Sequence, residues 1–393
     1  MRVVGVICEY NPFHKGHALH LARAREASGA DYVICVMSGS VTQRGCFARH
    51  DKWTRAKSAL LNGCDLVIEL PVRFACASAQ EFASGGVSLL ASLGVTTHLS
   101  FGCEKESLPG LFAAAQALSG ESPAFKSALR KHLDGGMPYP RARALAAQEA
   151  SGIENLAEII ARPNAALALE YLAALPEYIA PVPVEREGAG YHDEALSALS
   201  SATAVRAAIC RGDMEAALLS LPCPDLIAAG EQKGDIHEEE ALTQALLYRL
   251  RTMSADNLRQ IAGMDEGLEY RFLSAAKTAQ SREELLALVK TKRYTHARLS
   301  RLAALTLLGV TRDFANEHDK PAYARALGFR RDAAPLLRAI KEHGSLPFVT
   351  KAADYDDPLF ALDVRAQDLW SLGCTSPLLR RAGRDYTTSP VIV

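Results

Sequence analysis

Two histidines in the segment Asn11-Pro12-Phe13-His14-Lys15-Gly16-His17 are the residues best placed to do chemistry. His14 and His17 are three positions apart, so in the first turn of a helix they would share one face. A helix N-terminus presents free N–H groups and a positive dipole end, which suits a phosphate group. Gly16 would allow close approach to the backbone. The motif therefore predicts a site where two imidazoles donate hydrogen bonds to charge developing on an α-phosphate.

Two other interpretations of the histidine pair remain open. Both side chains could cap the helix or lie on the surface of the protein. The spacing could also suit zinc, but no nearby carboxylate or cysteine completes a ligand set at a standard spacing. We therefore expect no metal held by protein side chains at this motif.

The apolar pattern around the motif predicts an α/β fold with a doubly wound parallel sheet. Strands that alternate with helices form right-handed crossovers in such a fold. Ligands bind beyond the carboxyl ends of the strands, so the loops after the first, second and fourth strands should carry the chemistry. The predicted strands are Val3 to Cys8, Tyr32 to Met37, Asp65 to Leu70 and Thr96 to Phe101, and the predicted helices are His17 to Ala27, Asp51 to Leu61 and Ala77 to Leu93.

Polar loops follow the second and fourth predicted strands. Ser38, Gly39 and Arg44 lie in a Gly-rich loop that could line a substrate pocket, with the Arg44 guanidinium holding a carboxylate or a phosphate. Gly102 lies where a side chain would collide with an approaching adenine or ribose. The alternatives are a solvated arginine and an ordinary turn glycine.

Two other groups of polar residues open predicted helices. Ser201, Thr203 and Arg206 lie in a Ser/Thr-rich turn whose hydroxyl and N–H groups suit phosphate, with an ordinary N-cap as the alternative. Asp51 and Arg55 form an i, i+4 pair that could be a surface ion pair or could belong to a site.

The densest basic cluster lies in the second half of the chain and has a tyrosine inside it. On a helix it would project a positive stripe with a ring beside it, which suits a nucleic-acid backbone with a base stacked nearby. A solvated helix face is the alternative. Glu238 to Glu240 are expected to face solvent. The cluster consists of Lys290, Lys292, Arg293, Tyr294, Arg298 and Arg301.

Composition limits the class of protein. The 393 residues are 49% hydrophobic and 23% charged, which excludes global disorder and suggests two or three domains. With 44 basic and 45 acidic residues, nucleic-acid binding must come from a local basic face. The nine cysteines form no CxxC pair, and no run approaches the ~20 apolar residues of a membrane span. We expect a soluble, cytoplasmic protein, and its oligomeric state is not predicted.

The chain is expected to divide between residues 215 and 216. Residues 1–215 would form the α/β domain, with an Ala- and Leu-rich helical insertion at about 105–175 and strand-like and turn signals returning from Val182 to Arg206. Residues 216–393 would form a mostly helical C-terminal domain with a β-like piece near Leu346 to Thr350. Pro222 and Pro224 would mark the hinge.

Longer strings in the sequence resemble a known family. HxGH after the first strand resembles the class I nucleotidyltransferase superfamily. The whole pattern resembles the bacterial tRNA(Met) cytidine acetate ligase family, except that Lys15 and Ser40 stand where asparagine is usual. The strings are VICEYNPFHKGHALHL, VMSGSVTQRG, ARHDKWTRAKSALLNGCDLVIELP, SAQEFASGGVSLLASLGVTTHLSFGCE, RPNAALALEYL, EREGAGYHD, SSATAVR, KTKRYTHARLSR and ALGF.

The resemblance implies an activity and its partners. Members of the family join acetate to ATP, forming acetyl-adenylate and pyrophosphate, and then acetylate N4 of the wobble cytidine of elongator tRNA(Met). ATP would be a substrate accompanied by Mg²⁺, residues 1–215 would be the catalytic domain, and residues 216–393 would bind tRNA. No membrane partner is implied.

The resemblance also assigns residues to ATP. His14 and His17 would be catalytic and would face the phosphates. Gly102, Asn164 and Arg186 would complete the ATP site, and the Ser201, Thr203 and Arg206 turn would meet the triphosphate. The N-terminal part of the site would be Ile7, Cys8, Glu9, Tyr10, Asn11, Pro12, Phe13, His14, Lys15, Gly16, His17, Ala18, Leu19 and His20.

Two rival functions share the HxGH region. One is a nucleotidyltransferase that builds a small cofactor, although such an enzyme has no evident need for the basic helical half. The other is a nucleotide-sensing RNA-binding protein without catalysis, against which the intact His14, Gly16 and His17 argue.

Overall fold

Eight strands form one mixed sheet at the centre of the protein. The structure is a computed structural model and describes residues 1–103, 110–112, 114–115, 122–185 and 201–393. The strands run in the order β5-β4-β1-β2-β3-β6-β7, and β8 also pairs with β6. They are β1 (Val3–Cys8), β2 (Tyr32–Ser38), β3 (Leu66–Leu70), β4 (His98–Cys103), β5 (Ala180–Glu185), β6 (Ala324–Phe329), β7 (Phe348–Val349) and β8 (Val391–Ile392).

The five strands from the first half of the chain are parallel, as the apolar runs predict. Strand β1 pairs with β2 and with β4, while β4 pairs with β5 and β2 pairs with β3. Their carboxyl ends therefore meet at one edge, where Cys8 lies beside Met37 and Gly102 beside Val184. The loops after these strands share one surface.

The second half of the chain is mostly helical, as predicted, and three of its segments also complete the sheet. Strand β6 pairs antiparallel with β3, and β7 and β8 pair parallel with β6. The β-like piece near residue 348 is confirmed. Strand β6 was missed because its sequence ARALGF is rich in residues that favour helices. The division at residues 215 and 216 stays a prediction.

Helices cover both faces of the sheet, so the predicted doubly wound architecture is confirmed. One apolar core packs β1 and β3 residues against Phe82 and Leu90, and another packs β1 and β2 residues against Leu21 and Ala56. The helices are α1 (Lys15–Ser28), α2 (Lys52–Leu60), α3 (Val72–Ala75), α4 (Ala79–Ser92), α5 (Pro123–Asp134), α6 (Tyr139–Ser151), α7 (Leu156–Ile160), α8 (Pro163–Ala174), α9 (Ala202–Cys210), α10 (Met214–Leu219), α11 (Pro224–Lys233), α12 (Thr243–Thr252), α13 (Ala255–Arg259), α14 (Leu268–Ala275), α15 (Arg282–Val289), α16 (His296–Leu308), α17 (Arg312–Glu317), α18 (Ala334–His343), α19 (Pro358–Leu372) and α20 (Arg384–Thr387).

A separate apolar cluster holds the helical part of the second half together. Leu247, Phe272, Leu286 and Leu302 belong to it, so α12, α14, α15 and α16 pack around one core. Short 3-10 turns at Glu239–Leu242, Arg331–Ala333, Ala352–Asp354 and Pro377–Leu379 connect the longer elements. Among the described residues, no helix has the length and apolar character needed to cross a bilayer.

A buried cluster of four charged side chains joins the two halves of the chain. The Lys52 ammonium lies 2.8 Å from a Glu69 carboxylate oxygen and 2.7 Å from Asp385. The Arg325 guanidinium contacts both Glu69 and Asp385. Burial would lower the pKa of Arg325, but the two carboxylates outweigh it and raise that pKa. Two cations therefore neutralise two carboxylates without access to water.

Candidate active site

A cavity of about 480 Å³ opens at the carboxyl ends of β1, β4 and β5. It is the place where ligands bind in open α/β sheets. Most of the residues predicted to bind a nucleotide lie in its wall, together with Arg44 of the predicted substrate pocket. They are Ile7, Cys8, Glu9, Tyr10, Asn11, His14, Gly16, His17, Leu19, His20, Arg44, Gly102, Asn164, Ser201, Thr203 and Arg206.

The two histidines of the motif form a reciprocal cap at the start of α1. Nδ1 of His14 accepts a hydrogen bond from the Gly16 N–H at 3.1 Å, and Nδ1 of His17 accepts one from the His14 N–H at 3.2 Å. The two rings stack with their centroids 3.7 Å apart. Because each Nδ1 is an acceptor, a neutral imidazole carries its proton on Nε2.

This arrangement makes capping and phosphate binding compatible functions of the same rings. The sequence left a cap and a phosphate ligand as alternatives, but the cap occupies only Nδ1. Both rings also line the cavity. Each ring can therefore present an Nε2–H donor to an oxyanion while its opposite edge stays fixed to the backbone.

Gly16 has a further role besides the predicted close approach to the backbone. A Cβ at this position would lie 2.9 Å from Cε1 of His14 and 3.0 Å from its Nδ1. A larger residue would therefore push the His14 ring out of its capping position. The glycine makes room for an imidazole, in addition to lining the cavity.

Several predicted residues do not line the cavity. Phe13 is buried in the core beneath the motif, and Ala18 packs against the same core. Lys15 is turned away, since its ammonium donates to the Leu219 carbonyl at 2.7 Å. Pro12 is also buried outside the lining. Arg186 lies outside the described residues.

The predicted substrate-pocket residues Ser38 and Gly39 also lie outside the lining. Their carbonyl oxygens accept hydrogen bonds from the buried Arg55 guanidinium, and a Cβ at Gly39 would collide with the Glu69 carboxylate. These two residues hold the loop in place. Only Arg44 of that predicted group lines the cavity.

Arg55 is a structural residue and not the partner of Asp51. Its guanidinium also donates to the Glu9 carbonyl at 2.7 Å and the His50 carbonyl at 3.0 Å, so it ties together the loops after β1 and β2. Burial lowers its pKa to about 10. Asp51 instead caps α2 by accepting from the backbone of Trp53 and Thr54. The possible site role for this pair is therefore indirect.

The start of α9 closes the cavity from a third side. The Ser201 hydroxyl caps the helix by accepting from the Ala204 N–H at 3.2 Å. The Arg206 guanidinium donates to the Asn11 carbonyl and, at 3.3 Å, to the Thr203 hydroxyl. This contact fixes the helix N-terminus beside the histidine motif, where its dipole and N–H groups favour an anion.

Part of the cavity wall has no counterpart in the sequence predictions. It comprises residues of the loop after β2 and of the segment before the Glu239–Leu242 turn. Glu239 was expected only to face solvent; its side chain is 40% exposed and pairs with Arg282 at 2.7 Å. The unpredicted residues here are Thr42, Cys46, Phe47, Arg49, His237 and Glu239.

Arg49 anchors this wall. Two of its guanidinium nitrogens contact the Glu231 carboxylate, each at 2.6 Å, and Nε2 of His50 lies 3.0 Å from the same group. Burial alone would raise the pKa of Glu231, but His50 and Arg49 outweigh it and hold the pKa at about 2. Glu231 is therefore ionised at neutral pH. The Arg49 carbonyl also accepts from the His237 N–H at 2.7 Å.

The basic cluster is placed differently from the predicted helical stripe. Helix α16 begins at His296, so only Arg298 and Arg301 lie on it. Arg293 pairs with Glu266 at 2.9 Å, Arg298 pairs with Asp265, and Lys290 donates to the Tyr294 carbonyl. Lys292 is exposed.

Tyr294 cannot stack on a base as predicted, because its ring is buried. Only 5% of the residue is exposed, and the guanidiniums of Arg293 and Arg298 lie 6.0 and 5.1 Å from the ring centroid. Arg301 is turned inward and donates to the Gln43 carbonyl at 3.3 Å. It thus connects α16 to the loop that carries Arg44.

Within the part of the chain that the structure describes, no three histidine, cysteine or carboxylate side chains are grouped so as to hold a metal ion. The cavity is lined by groups that can donate hydrogen bonds to an oxyanion. Two imidazoles, a helix N-terminus and the arginines Arg44 and Arg206 surround a space of nucleotide size. Such a site can bind a nucleoside triphosphate and stabilise charge on its phosphates.

Comparison with solved structures shows that the fold is a known one. Crystal structures of Thermotoga maritima TmcAL, one bound with alpha-thio ATP and one apo, match with TM-scores of 0.93 and 0.94. Each is 33% identical in sequence and covers 100% of both chains. The fold is therefore shared from end to end.

Sequence comparison extends the match. The HIGH Nucleotidyl Transferase family model matches residues 1–385. Proteins named tRNA(Met) cytidine acetate ligase from Acetivibrio thermocellus and Syntrophomonas wolfei are 37% and 38% identical. Both alignments cover 100% of this chain, and they cover 100% and 99% of the relatives. The chain therefore belongs to the tRNA(Met) cytidine acetate ligase family of HIGH nucleotidyltransferases.

Proposed function

We propose that this protein joins acetate to the AMP moiety of ATP and then acetylates N4 of the wobble cytidine of elongator tRNA(Met). The observation that carries the proposal is the pair of stacked imidazoles at the cavity, both held through Nδ1 so that Nε2 can donate. Full-length relatives at 37% and 38% identity, named for this ligase activity, support it. The described chain supplies a nucleotide-sized space around that pair.

In the first half-reaction, an acetate oxygen attacks the α-phosphorus and pyrophosphate leaves. His14 and His17 donate to the α-phosphate oxygens as charge develops on them. The α9 N-terminus with Ser201, Thr203 and Arg206 receives the departing phosphates. Arg44 holds the acetate carboxylate. The rate acceleration comes from in-line alignment of the reacting groups and from hydrogen-bond donors that are already in position.

In the second half-reaction, the cytidine amine attacks the acetyl carbonyl of acetyl-adenylate. A wobble base is single-stranded and can be turned out into a pocket. The C–N bond forms, the C–O bond of the mixed anhydride breaks, and AMP leaves with the electron pair. The amine proton that is lost passes to solvent.

Mg²⁺ would enter with the triphosphate. The described residues form no group of three side chains suited to a metal, so phosphate oxygens and water would supply its ligands. We also propose that Gly102, Asn164 and Arg186 bind the nucleotide, and that residues 216–393 provide the tRNA surface.

The reaction can be tested directly on RNA. Purified protein is incubated with bulk tRNA, ATP and isotopically labelled acetate, and the tRNA is then digested and analysed by mass. We expect one acetyl group, carrying the label, at the anticodon cytidine of a single tRNA. Omission of ATP or of acetate should abolish this acetylation of the tRNA. Label on several tRNAs, or on none while ATP is still consumed, would refute the assignment.

Charge reversal in the basic cluster should separate RNA binding from adenylation. The Arg293→Glu/Arg298→Glu variant places acidic groups where tRNA phosphates would lie, next to Asp265 and Glu266. We expect tRNA affinity to fall at least about tenfold, with a shallower salt dependence. Acetate-dependent ATP–pyrophosphate exchange should stay within about twofold, because exposed ion pairs of this kind contribute ~0–1 kcal/mol to folding.

A Lys277→Glu/Lys320→Glu variant is the matched control, since both lysines are exposed and the change in net charge is identical. It should bind tRNA more tightly than the arginine variant does. Equal affinities for the two variants would show that only net charge matters. Loss of exchange with unchanged tRNA affinity would show that the cluster has been misassigned.

A further inference from the structure

The cavity extends beyond the histidine motif toward the loop after β2. In the sheet, β4 and β5 lie on one side of β1, and β2 lies on the other. Gly102 is on the β4 side, where the proposed nucleotide binds. Thr42, Cys46, Phe47, His237 and Glu239 line the opposite end. That end of the cavity is therefore available to the second substrate.

His237 is fixed in one orientation at this end of the cavity. Only 3% of the residue is exposed, and its ring stacks on Phe47 with centroids 4.7 Å apart. Its Nδ1 lies 2.9 Å from the Trp370 carbonyl oxygen. A Cβ at Gly373 would collide with the ring, so the ring packs directly against the backbone of that residue.

The protonation of this ring follows from its partner. A carbonyl oxygen can only accept, so Nδ1 of His237 carries the hydrogen. Burial lowers the pKa of His237 to about 4, despite the bond to Trp370, so the ring is neutral at pH 7. Nε2 is then an acceptor, and it has no hydrogen-bond partner among the described residues.

An unsatisfied buried acceptor selects for a particular ligand chemistry. Acetate and phosphate oxygens present only lone pairs, so they would be repelled by Nε2. An exocyclic amine presents two N–H donors, and leaving a buried acceptor unsatisfied costs about 1–3 kcal/mol. The end of the cavity at His237 is therefore suited to an amine and not to either anion of the first half-reaction.

We propose that His237 holds the acceptor cytidine by accepting a hydrogen bond from its N4 amine, and that it thereby selects cytidine over uridine. The inference rests on the proposed function. The hydrogen held by Nε2 is the one that remains in the amide product, while the other passes to solvent as the C–N bond forms. Uridine has a carbonyl oxygen at the same place, which would face the Nε2 lone pair.

Two substitutions distinguish the role of Nδ1 in the His237 ring from the role of Nε2. In His237→Asn, the short amide can still donate to the Trp370 carbonyl but cannot reach the position of Nε2. In His237→Gln, the longer amide can place its oxygen near that position. We expect His237→Asn to slow single-turnover transfer from acetyl-adenylate to a tRNA(Met) transcript about tenfold, and His237→Gln to recover part of the loss.

The same variants are assayed for acetate-dependent ATP–pyrophosphate exchange, whose KM for ATP should change by less than about twofold. A raised KM for ATP would overturn the proposal, because the acceptor would then serve the adenine amine. Unchanged transfer in His237→Asn would overturn it equally. Failure of the proposed function is distinguishable, since the wild-type protein would then show no exchange or no transfer.

A third measurement uses only the wild-type protein and does not depend on how the variants fold. tRNA(Met) transcripts with cytidine or uridine at the wobble position compete with labelled substrate in the transfer reaction. The cytidine form should compete about tenfold more strongly. Equal competition by the two transcripts would exclude selection by His237.

Discussion

His14→Asn and His17→Asn are expected to lower acetate-dependent ATP–pyrophosphate exchange by about 10²–10³-fold each. Each asparagine can replace Nδ1 as the acceptor of the capping hydrogen bond, and asparagine is among the preferred N-cap residues. The short amide does not extend to the position of Nε2. The variants therefore remove the oxyanion donor while retaining the start of α1, and the loss should appear in kcat.

His98→Asn is the matched control for these two variants. His98 is a partly buried histidine in β4 whose Nδ1 contacts the Thr97 hydroxyl at 2.8 Å, and it does not line the cavity. It should retain exchange within about twofold. If either motif variant keeps near wild-type exchange with an unchanged melting temperature, the imidazoles do not carry the chemistry.

Lys52→Met is expected to destabilise the fold by about 3–5 kcal/mol. The substitution leaves Glu69 and Asp385, both buried, facing the single cation Arg325. Removing one partner from a buried ion cluster lowers the stability of the fold by more than the intact cluster adds to it, because one buried charge is left without an opposite charge. The unfolding midpoint in urea should fall markedly. Activity should fall with it, since Glu69 packs under Gly39 in the loop that carries Arg44.

Lys57→Met on the same helix provides the comparison, because this side chain is exposed and loses the same charge. It should change the free energy of unfolding by less than about 0.5 kcal/mol, as most surface substitutions do. Equal urea unfolding midpoints for the two variants would mean that other groups neutralise the buried carboxylates. A drop for Lys52→Met alone would confirm that the cluster stabilises the fold.

The central part of the fold was predictable because its signals are local. Four runs of apolar, β-branched residues gave four parallel strands, and the polar loop between Cys8 and Gly16 gave the start of α1. The histidine pair was identified by its spacing alone. What spacing could not show is that Nδ1 of each ring caps the helix, which fixes the tautomer.

The rest of the site depends on contacts between distant segments. His237 is an isolated histidine in a stretch with no βαβ pattern, and its importance comes from Trp370, Phe47 and Gly373 packing around it. No pattern in the neighbouring sequence indicates the role of such a residue. This histidine can be identified as part of the cavity only from the folded structure, in which the loop after β2 lies beside the segment at residue 237.

Two mistaken expectations share one cause. Gly39 was expected in the pocket and Tyr294 on a nucleic-acid surface, because glycine-rich loops and tyrosines among arginines often have those roles. In the structure, Gly39 makes room for the Glu69 carboxylate, and Tyr294 is buried beside Arg298. Residue type and spacing indicate what a side chain can do, but the packing of other segments decides where it points.

The pairing of β3 with β6 has a consequence for how the protein is made. Residues 66–69 bond to residues 325–329, so the ribosome has to complete most of the chain before the sheet can close. Until then, nascent β3 presents an open hydrogen-bonding edge, and Lys52 lacks its partner Asp385, which is followed by only eight of the 393 residues. Such an edge invites pairing with other nascent chains. The pairing of β6 with β3 therefore removes this exposed edge only late in synthesis.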